Sequence, residues 1–446
     1  MNVVFDRYIK ILERTERLPP RELAGYHQDL LVRLVRHAYE KSPFYRDRLA
    51  PLFTSEGEVD LSRWNSVPLL TRDQVMARGR EMRVADLPPE CGDVSEAQTS
   101  GSTGVPLKFA TNGMVFLAAN ALFTRAVRRF GIDPSRPLAF IGRFRDEPIP
   151  PYPDGATKAG WSFADPAAPF YKLELMTTPV DQQVQWLSGK KAPYLATMPS
   201  GALGIAHSVT PQQGVALGIE AVILIGESVP DGAREFIAER LGARIIPIYA
   251  CREIGHIASE CEAERYHVGV ENALVEILDA KGKDVPFGSR GRVVVTGLYN
   301  YVMPFIRYDI GDIAVAGSES CPCGRTLPII KQIEGRRRNM FVFRDGTRFW
   351  PRSAMIRPMH AFVPFRRYQL VQIDYENIDF RYISDGSGRE PDVPALNAYA
   401  RRIIHPSVTI RLVEVEHFTA GLSGKVQEFI SNLAAANAPP VAGVLP

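Results

Sequence analysis

The chain has 446 residues, of which 45% are hydrophobic, and a formal net charge of +3. This length is enough for two or three domains of roughly 150 residues each. The small net charge gives no indication of a nucleic-acid partner or a membrane surface. No uninterrupted apolar run reaches the ~18 residues that a membrane span needs.

Cysteine content and the first residues both point to a cytoplasmic protein. The five cysteines are Cys91, Cys251, Cys261, Cys321 and Cys323. An odd, sparse set in a long chain argues against a disulfide framework. Residues 1–10 include Asp6 and lack the apolar h-region of a secretory signal.

Helical periodicity organises the first part of the chain. Apolar residues predict a helix over 24–41 that ends at Ser42-Pro43, and Thr71 is expected to be the N-cap of another helix. A short strand at 108–110 and a helix over 113–130 follow. Residues 136–175 are rich in proline and aromatic residues, which indicates a long loop that is either functional or packed on itself without a ligand.

A strand–helix–strand pattern predicts a parallel α/β unit in the middle of the chain. The strands are Ala221–Ile225 and Arg244–Ile248, with a helix near 230–241 between them. Ligands in such units bind at the carboxyl ends of the strands. Gly226-Glu227 and residues 249–253 follow the two strands directly.

Residues 270–316 predict a small β-rich subdomain with strands at 274–278, 291–296 and 313–315. Within it, Arg307, Asp309 and Asp312 crowd into six residues. One interpretation is a solvated turn with a surface ion pair, which contributes little to stability.

A linker is predicted at 335–339, before an α+β domain of about a hundred residues, a common domain size. Its predicted strands are 368–374, 378–384 and 408–416, and its predicted helices are 391–405 and 425–435. Lys425 follows the glycine-containing loop Thr419–Gly424. From spacing alone, such a lysine is more often a solvated charge than a catalytic group.

The segment Thr99–Pro106, Thr-Ser-Gly-Ser-Thr-Gly-Val-Pro, is the strongest single ligand-binding signal. Glycines let the backbone approach a ligand, and backbone N–H groups and hydroxyls together form an anion-binding nest. No Gly-Lys-Ser/Thr follows, so the segment is not a Walker A loop. The alternative is an ordinary Ser/Gly surface loop.

The collinear order of several motifs resembles the adenylate-forming enzymes, in the branch of phenylacetate–coenzyme A ligase and coenzyme F390 synthetase. The matching segments are Tyr39–Arg46, Pro68–Arg72, Thr99–Pro106, Gly226-Glu227, Tyr249–Glu253, Met303–Tyr308 with Asp312, Cys321–Thr326, Gly335-Arg336 and Gly424-Lys425. The resemblance implies an α/β fold. A large adenylation domain over 1–335, with parallel or mixed sheets flanked by helices, would precede a small mobile α+β lid over 336–446.

The resemblance also implies roles for individual residues. Ser100, Gly101, Ser102, Thr103 and Gly104 would hold the β,γ-phosphates of ATP. Gly226 and Glu227 would border the adenine, with Tyr249 stacking nearby. Glu253 would bind Mg²⁺, Asp312 the ribose hydroxyls, and Arg336 the ribose or a phosphate. Lys425 would bridge the substrate carboxylate and the α-phosphate.

The implied activity is that of an AMP-forming ligase, most simply an aryl or arylacetate–coenzyme A ligase. A carboxylate attacks the α-phosphorus of ATP, pyrophosphate leaves, and the acyl-adenylate passes to the thiol of coenzyme A. One alternative acceptor is an amine or a carrier-protein thiol. A different class of interpretation is a catalytically impaired nucleotide-binding module. Relatives of this branch are often homodimers.

Four departures from the family pattern stand out. Arg252 replaces a small hydroxyl residue, and Val105 stands where many relatives have lysine. The hinge Arg337-Arg338-Asn339 is basic where one or two acidic residues are usual. The segment Gly142–Pro148, expected to line the acyl pocket, lacks the family's glycine-rich sequence, so the substrate need not be phenylacetate.

Three thiols and one imidazole form a complete tetrahedral set for zinc. They are Cys261, His267, Cys321 and Cys323, and some relatives carry the same pattern. Four protein ligands leave no open position for water, which indicates a structural site. Two unrelated thiol pairs are the alternative, and the competing ligands His256 and Cys251 are disfavoured because they lie closer to the active-site turn.

Overall fold

The computed structural model describes residues 3–99, 106–144, 147–162, 165–230, 232–318, 320–336, 340–349, 351, 357–416, 418 and 428–433. Several residues singled out in the sequence lie outside this described part: Ser100, Gly101, Ser102, Thr103, Gly104, Val105, Arg337, Arg338, Asn339 and Lys425.

Ten α-helices lie in the described residues: α1 Val3–Thr15, α2 Pro20–Lys41, α3 Pro43–Leu49, α4 Arg72–Met82, α5 Gly113–Arg128, α6 Val180–Lys190, α7 Pro199–Ser208, α8 Pro211–Ala216, α9 Ala233–Leu241 and α10 Val393–Ile403.

The strands of the first half are β1 Val94–Gln98, β2 Lys108–Asn112, β3 Leu138–Gly142, β4 Ala156–Ala159, β5 Pro169–Glu174, β6 Tyr194–Thr197, β7 Ala221–Ile225, β8 Arg244–Cys251, β9 Gly255–Glu260 and β10 Tyr266–Val268. Those of the second half are β11 Ala273–Leu278, β12 Arg290–Gly297, β13 Tyr308–Ala316, β14 Ile329–Arg336, β15 Phe341–Val342, β16 Arg348–Phe349, β17 Phe365–Gln372, β18 Asn377–Ser384, β19 Thr409–Glu414 and β20 Phe429–Ser431.

Twelve strands form one sheet in the order β11-β12-β13-β14-β10-β9-β8-β7-β6-β3-β5-β4. The pairs β5-β3, β3-β6, β6-β7 and β7-β8 are parallel, and the other pairs in the sheet are antiparallel. The predicted α/β class is confirmed. The β-rich part expected at 270–316 contributes β11, β12 and β13 to the antiparallel part of this same sheet.

The parallel half is covered on both faces, which explains the unbroken apolar run of β7. Residues of α6, α7 and α9 pack on one face, and Ala126 and Val127 of α5 pack on the other. A strand buried on both sides shows no alternation of polar and apolar residues. The site described below lies where these strands end.

Most predicted elements are confirmed with small shifts. The helix predicted over 24–41 is α2, and it ends at Lys41 before Ser42-Pro43. Thr71 caps α4 through a capping box with Gln74.

The long loop predicted over 136–175 is wrong, since β3, β4 and β5 lie in it. The prolines at 148–153 occupy the connection between β3 and β4, and Phe140, Phe170 and Tyr171 lie in β3 and β5.

The C-terminal residues form their own four-stranded sheet, in the order β19-β18-β17-β20. Its core includes Phe341, Phe380 and Leu396 and is distinct from the clusters that pack on the large sheet. The helix predicted over 425–435 is wrong at Phe429–Ser431, because β20 pairs there in parallel with β17. Among the described helices, none has the length and apolar character needed to cross a membrane.

Candidate functional site

The first part of the site is the turn that follows β7. Gly226 has φ +84°, a conformation that glycine adopts without steric cost. The Glu227 Oε2 atom accepts a hydrogen bond of 3.0 Å from the backbone N–H of Ser200. Ser200 lies in the first turn of α7, where backbone N–H groups lack intrahelical partners. The glutamate is thereby anchored at the carboxyl ends of the parallel strands.

The centre of the site is a contact between three strands. The Tyr249 hydroxyl donates to Asp312 Oδ2 over 2.8 Å, and Arg336 Nε lies 2.9 Å from Asp312 Oδ1. Asp312 of β13 and Arg336 of β14 are direct register partners. Arg336 Nη1 also donates to the Ile310 carbonyl over 2.7 Å. Two guanidinium nitrogens, Nε and Nη1, therefore hold this side chain in place.

Charge and burial fix the protonation of this contact. Burial, reinforced by the Asp312 carboxylate, raises the pKa of Tyr249 well above its usual value. The phenol therefore stays protonated near neutral pH and acts as a donor. The Asp312 carboxylate raises the pKa of Arg336, so this guanidinium keeps its charge.

A second carboxylate lies behind the first, on the turn between β8 and β9. Glu253 is 7% exposed, and its Oε1 atom accepts a hydrogen bond of 3.1 Å from the Tyr308 hydroxyl. Burial, followed by the Glu253 charge, raises the pKa of Tyr308. Glu253 is thus a buried carboxylate that is held by the Tyr308 hydroxyl.

The glycine- and hydroxyl-rich segment connects the two strands of an antiparallel hairpin. β1 pairs with β2, and Gln98 lies opposite Lys108. Thr99 closes the base of the loop, because its N–H donates to the Leu107 carbonyl over 2.9 Å. The Leu107 N–H in turn donates to the Thr99 hydroxyl over 3.0 Å. The loop is therefore held at its base by two hydrogen bonds.

Six of the predicted site residues come together along this edge of the sheet: Gly226, Glu227, Tyr249, Glu253, Asp312 and Arg336. One further contact joins the β7 turn to β14, since an added Cβ at Gly335 would lie 3.0 Å from the Ser228 Oγ. The remaining predicted residues, Ser100 to Gly104 and Lys425, lie outside the described residues.

The interpretation of Arg307 as part of a surface ion pair is wrong. Arg307 is 2% exposed, and its Nη2 and Nε atoms contact the two carboxylate oxygens of Glu276 at 2.8 and 3.2 Å. Its Nη1 atom donates to the carbonyls of Trp64, Asn65 and Val67. This side chain therefore holds the segment before α4 against the sheet, a function that local spacing did not reveal.

Four potential metal ligands converge at the far end of β10. The ligating atoms of Cys261, His267, Cys321 and Cys323 all lie within 4.8 Å of one another. The Sγ atoms of Cys261 and Cys321 are 3.6 Å apart, and Cys323 Sγ is 3.3 Å from His267 Nε2. A tetrahedral zinc with Zn–S distances near 2.3 Å places its sulfur ligands about 3.8 Å apart.

The imidazole of His267 is oriented by the backbone. Its Nδ1 atom lies 3.1 Å from the Leu327 carbonyl, which makes Nδ1 the donor and directs Nε2 into the cluster, the arrangement usual for a metal-binding histidine. Burial lowers the pKa of His267 to about 4. The disfavoured ligand His256 is buried elsewhere, and burial lowers its pKa to about 3.

Two curated relatives align with most of the chain. A phenylacetate-coenzyme A ligase from Thermus thermophilus is 27% identical over 382 residues, which cover 80% of this chain and 79% of the relative. A phenylacetate-coenzyme A ligase from Pseudomonas putida is 24% identical over 371 residues, with 79% of each chain covered. No family model matches.

The chain is similar to phenylacetate–coenzyme A ligases along about four fifths of its length. Its fold is shared with a solved 2-hydroxyisobutyryl-CoA ligase in its postadenylation state in complex with 2-HIB-AMP. That structure has a TM-score of 0.75 and 19% sequence identity, over 95% of this chain and 92% of the other. The unusual Arg252 of this chain is exposed and directly precedes the buried Glu253.

Proposed function

We propose that the protein is an AMP-forming acid–coenzyme A ligase. A substrate carboxylate oxygen attacks the α-phosphorus of ATP, and the bond to the bridging oxygen breaks, with its electron pair leaving on pyrophosphate. The thiolate of coenzyme A then attacks the acyl carbon, and AMP leaves. Homology to phenylacetate-coenzyme A ligases along four fifths of the chain supports this activity.

The contact of Asp312 with Tyr249 and Arg336 is the observation that carries the proposal. A carboxylate has about four lone-pair sites, and the two neighbours use one on each oxygen. The remaining sites can accept hydrogen bonds from the two hydroxyls of a ribose. Tyr249 lies near the carboxyl end of the parallel strand β8, and such strand ends are where α/β sheets bind nucleotides.

The other nucleotide contacts follow from this placement. Gly226 and Glu227 would border the adenine, and Arg336 would reach the ribose or a phosphate. The loop residues 100–104 would hold the β,γ-phosphates from the tip of the hairpin β1–β2. Glu253 would bind the Mg²⁺, which offsets negative charge on the triphosphate.

The C-terminal sheet is proposed to act as a separate domain. We place the boundary between residues 335 and 336, so that 1–335 bind ATP and the acid and 336–446 form the lid. Lys425 would contact the carboxylate and the α-phosphate during adenylation, where a compact point charge offsets the approach of two anions.

The Cys/His cluster is proposed to hold a structural zinc. Its donor set is complete, its distances fit a tetrahedron, and no ligand position is left for water. Zinc would then contribute to folding rather than to the reaction.

The substrate class proposed is an aryl or arylacetic acid, in a cytoplasmic enzyme that is dimeric like many relatives. The proposed acceptor is coenzyme A, and an amine or a carrier-protein thiol is the alternative. The exposed cation Arg252 beside Glu253 favours a further alternative, an impaired nucleotide-binding module.

ATP–pyrophosphate exchange over a panel of carboxylic acids tests the proposal. Exchange with at least one acid is expected, and acyl-CoA should then form when coenzyme A is added. Exchange without acyl-CoA would favour the other acceptors. Nucleotide binding without exchange for any acid would favour the impaired module.

A further inference from the structure

Arg72 contacts Thr99, at the base of the proposed phosphate loop, residues 99–106. It is the first residue of α4, directly after the capping residue Thr71. The preceding Leu70 is pinned to β13, because its N–H donates to the Arg307 carbonyl over 2.8 Å and its carbonyl accepts from the Asp309 N–H over 2.9 Å. The backbone just before Arg72 is thus held against β13.

The guanidinium of Arg72 reaches the base of the phosphate loop. Its Nη1 atom lies 3.4 Å from the Thr99 hydroxyl, the same oxygen that accepts from the Leu107 N–H. The Arg72 charge also lowers the pKa of Tyr308, against the stronger opposing effects of burial and the Glu253 charge. Arg72 is therefore close to both the loop and the Tyr308–Glu253 pair.

The phosphate loop itself brings no cationic side chain. The segment Thr99–Pro106 contains neither lysine nor arginine, so its own donors are neutral hydroxyls and backbone N–H groups. A triphosphate that releases pyrophosphate gains charge on the leaving group, and cations positioned there stabilise the transition state. A guanidinium suits this task because it can donate two parallel hydrogen bonds to phosphate oxygens.

We propose that Arg72 binds the β- and γ-phosphates of ATP and the pyrophosphate that leaves, as the cation that the loop lacks. The inference rests on the proposed adenylation function and adds a residue to it. As the bond between the α-phosphorus and the bridging oxygen breaks, the electron pair moves onto pyrophosphate, and the two N–H donors of Arg72 stabilise it there. Arg72 has no role in the second half-reaction, because pyrophosphate has left.

Four variants of the full-length protein separate binding from structure. Arg72→Gln removes the charge, and Arg72→Lys keeps the charge without the fork of donors. Thr99→Val removes the contact between Arg72 and the loop base while leaving the guanidinium. Arg80→Gln is the matched control, since Arg80 lies on the exposed face of the same helix.

The expected result is a loss confined to the first half-reaction. Arg72→Gln should lower kcat/KM for ATP in pyrophosphate exchange by about 100-fold, within the 10²–10³ range for removal of one such donor. Arg72→Lys should recover about tenfold of that loss, and Thr99→Val should lose less than Arg72→Gln. Acyl-CoA formation from a supplied acyl-adenylate should stay within about twofold for every variant.

Three outcomes would overturn the inference. The first is pyrophosphate exchange by Arg72→Gln at the rate of Arg80→Gln, and the second is an equal loss of both half-reactions in Arg72→Gln. The third is a loss in Thr99→Val as large as that in Arg72→Gln, which would indicate a structural role for Arg72. If the wild-type protein shows no exchange with any acid, the proposed function fails instead. The role of Arg72 is then still tested by calorimetric titration with magnesium pyrophosphate. Arg72→Gln should weaken this binding about tenfold or more, and unchanged binding would refute the inference.

Discussion

Asp312 and Arg336 are direct partners across β13 and β14, and their side chains meet with 2.9 Å between Arg336 Nε and Asp312 Oδ1. Arg336 is the last residue of β14 and the first residue of the proposed lid. The ion pair therefore joins the proposed ribose ligand to the residue at which the two proposed domains meet.

Asp312→Asn should weaken nucleotide binding about tenfold or more. The amide keeps the shape of the side chain but replaces an acceptor oxygen with a donor, and a hydrogen bond to a charged group contributes roughly 1.5–3 kcal/mol. Calorimetric titration with AMP measures the effect. Lys331→Gln is the control, since Lys331 is an exposed residue on β14, and equal AMP affinity for Asp312→Asn and wild type would exclude Asp312 as a ribose ligand.

Lys425→Ala should abolish adenylation but leave thioester formation from a supplied acyl-adenylate intact. The ammonium is required only while the carboxylate approaches the α-phosphate, because two anions must meet there. The two half-reactions are measured separately, by pyrophosphate exchange and by acyl-CoA release. Lys283→Ala, at an exposed lysine in the loop before β12, should change neither, and equal loss of both half-reactions in Lys425→Ala would contradict the two-state lid.

Protein purified without chelator should contain about one equivalent of zinc, and Cys323→Ser should reduce it. Less than about half an equivalent in the wild type would count against the site. Cys91→Ser is the control for metal content, since Cys91 is a free cysteine outside the cluster. Elemental analysis and thermal unfolding provide the readouts, because structural zinc contributes to folding.

Loss of the metal should also loosen α1. Thr326, close after Cys323 in sequence, donates its N–H to the Glu16 carbonyl over 3.1 Å and its hydroxyl to the Leu18 carbonyl over 2.6 Å. Arg325 Nε lies 3.2 Å from Glu16 Oε2. Chelation should therefore speed amide hydrogen exchange in 3–15 more than in α10, and uniform protection across both helices would contradict the link.

Arg307→Met should destabilise the fold by about 3–5 kcal/mol, the usual cost of leaving one member of a buried ion pair without its partner. Glu276 would lose its counter-charge, and three backbone carbonyls would lose their donor. Denaturant unfolding measures the change. Lys41→Met breaks an exposed pair with Asp86 and should cost much less, because solvent screens exposed ion pairs. Similar losses in both variants would contradict the burial argument.

The sequence predicted best where local pattern determines structure. The apolar run of β7 and the glycine after it located the carboxyl edge of the sheet, and Gly226, Tyr249 and Glu253 all lie there as expected. The Cys/His spacing correctly anticipated that four ligating atoms meet, because β10 and β14 pair with His267 opposite Ile329. Motif order, rather than any single motif, carried these expectations.

Local pattern failed where the outcome depends on distant pairing. Glu276 pairs with Arg307 only because β11, β12 and β13 lie side by side. The residues next to Arg307 in the sequence do not predict this strand pairing. Phe429–Ser431 form a strand because they pair with the edge of β17, although the sequence pattern of 425–435 favoured a helix. The sequence alone assigns Arg72 no role of its own, because its hydrogen bond to Thr99 joins the start of α4 to the later hairpin β1–β2.

The register of the large sheet fixes the distance between His267 and the strand that carries Tyr249. His267 lies opposite Ser259, and Ser259 lies opposite Ile248, the residue just before Tyr249. With neighbouring strands about 4.8 Å apart, the backbones of His267 and Ile248 are about 10 Å from each other. A paramagnetic ion such as Co²⁺, substituted into the cysteine–histidine cluster, would thus lie close enough to enhance the nuclear relaxation of bound AMP. The size of that enhancement would report the distance from the metal to the nucleotide.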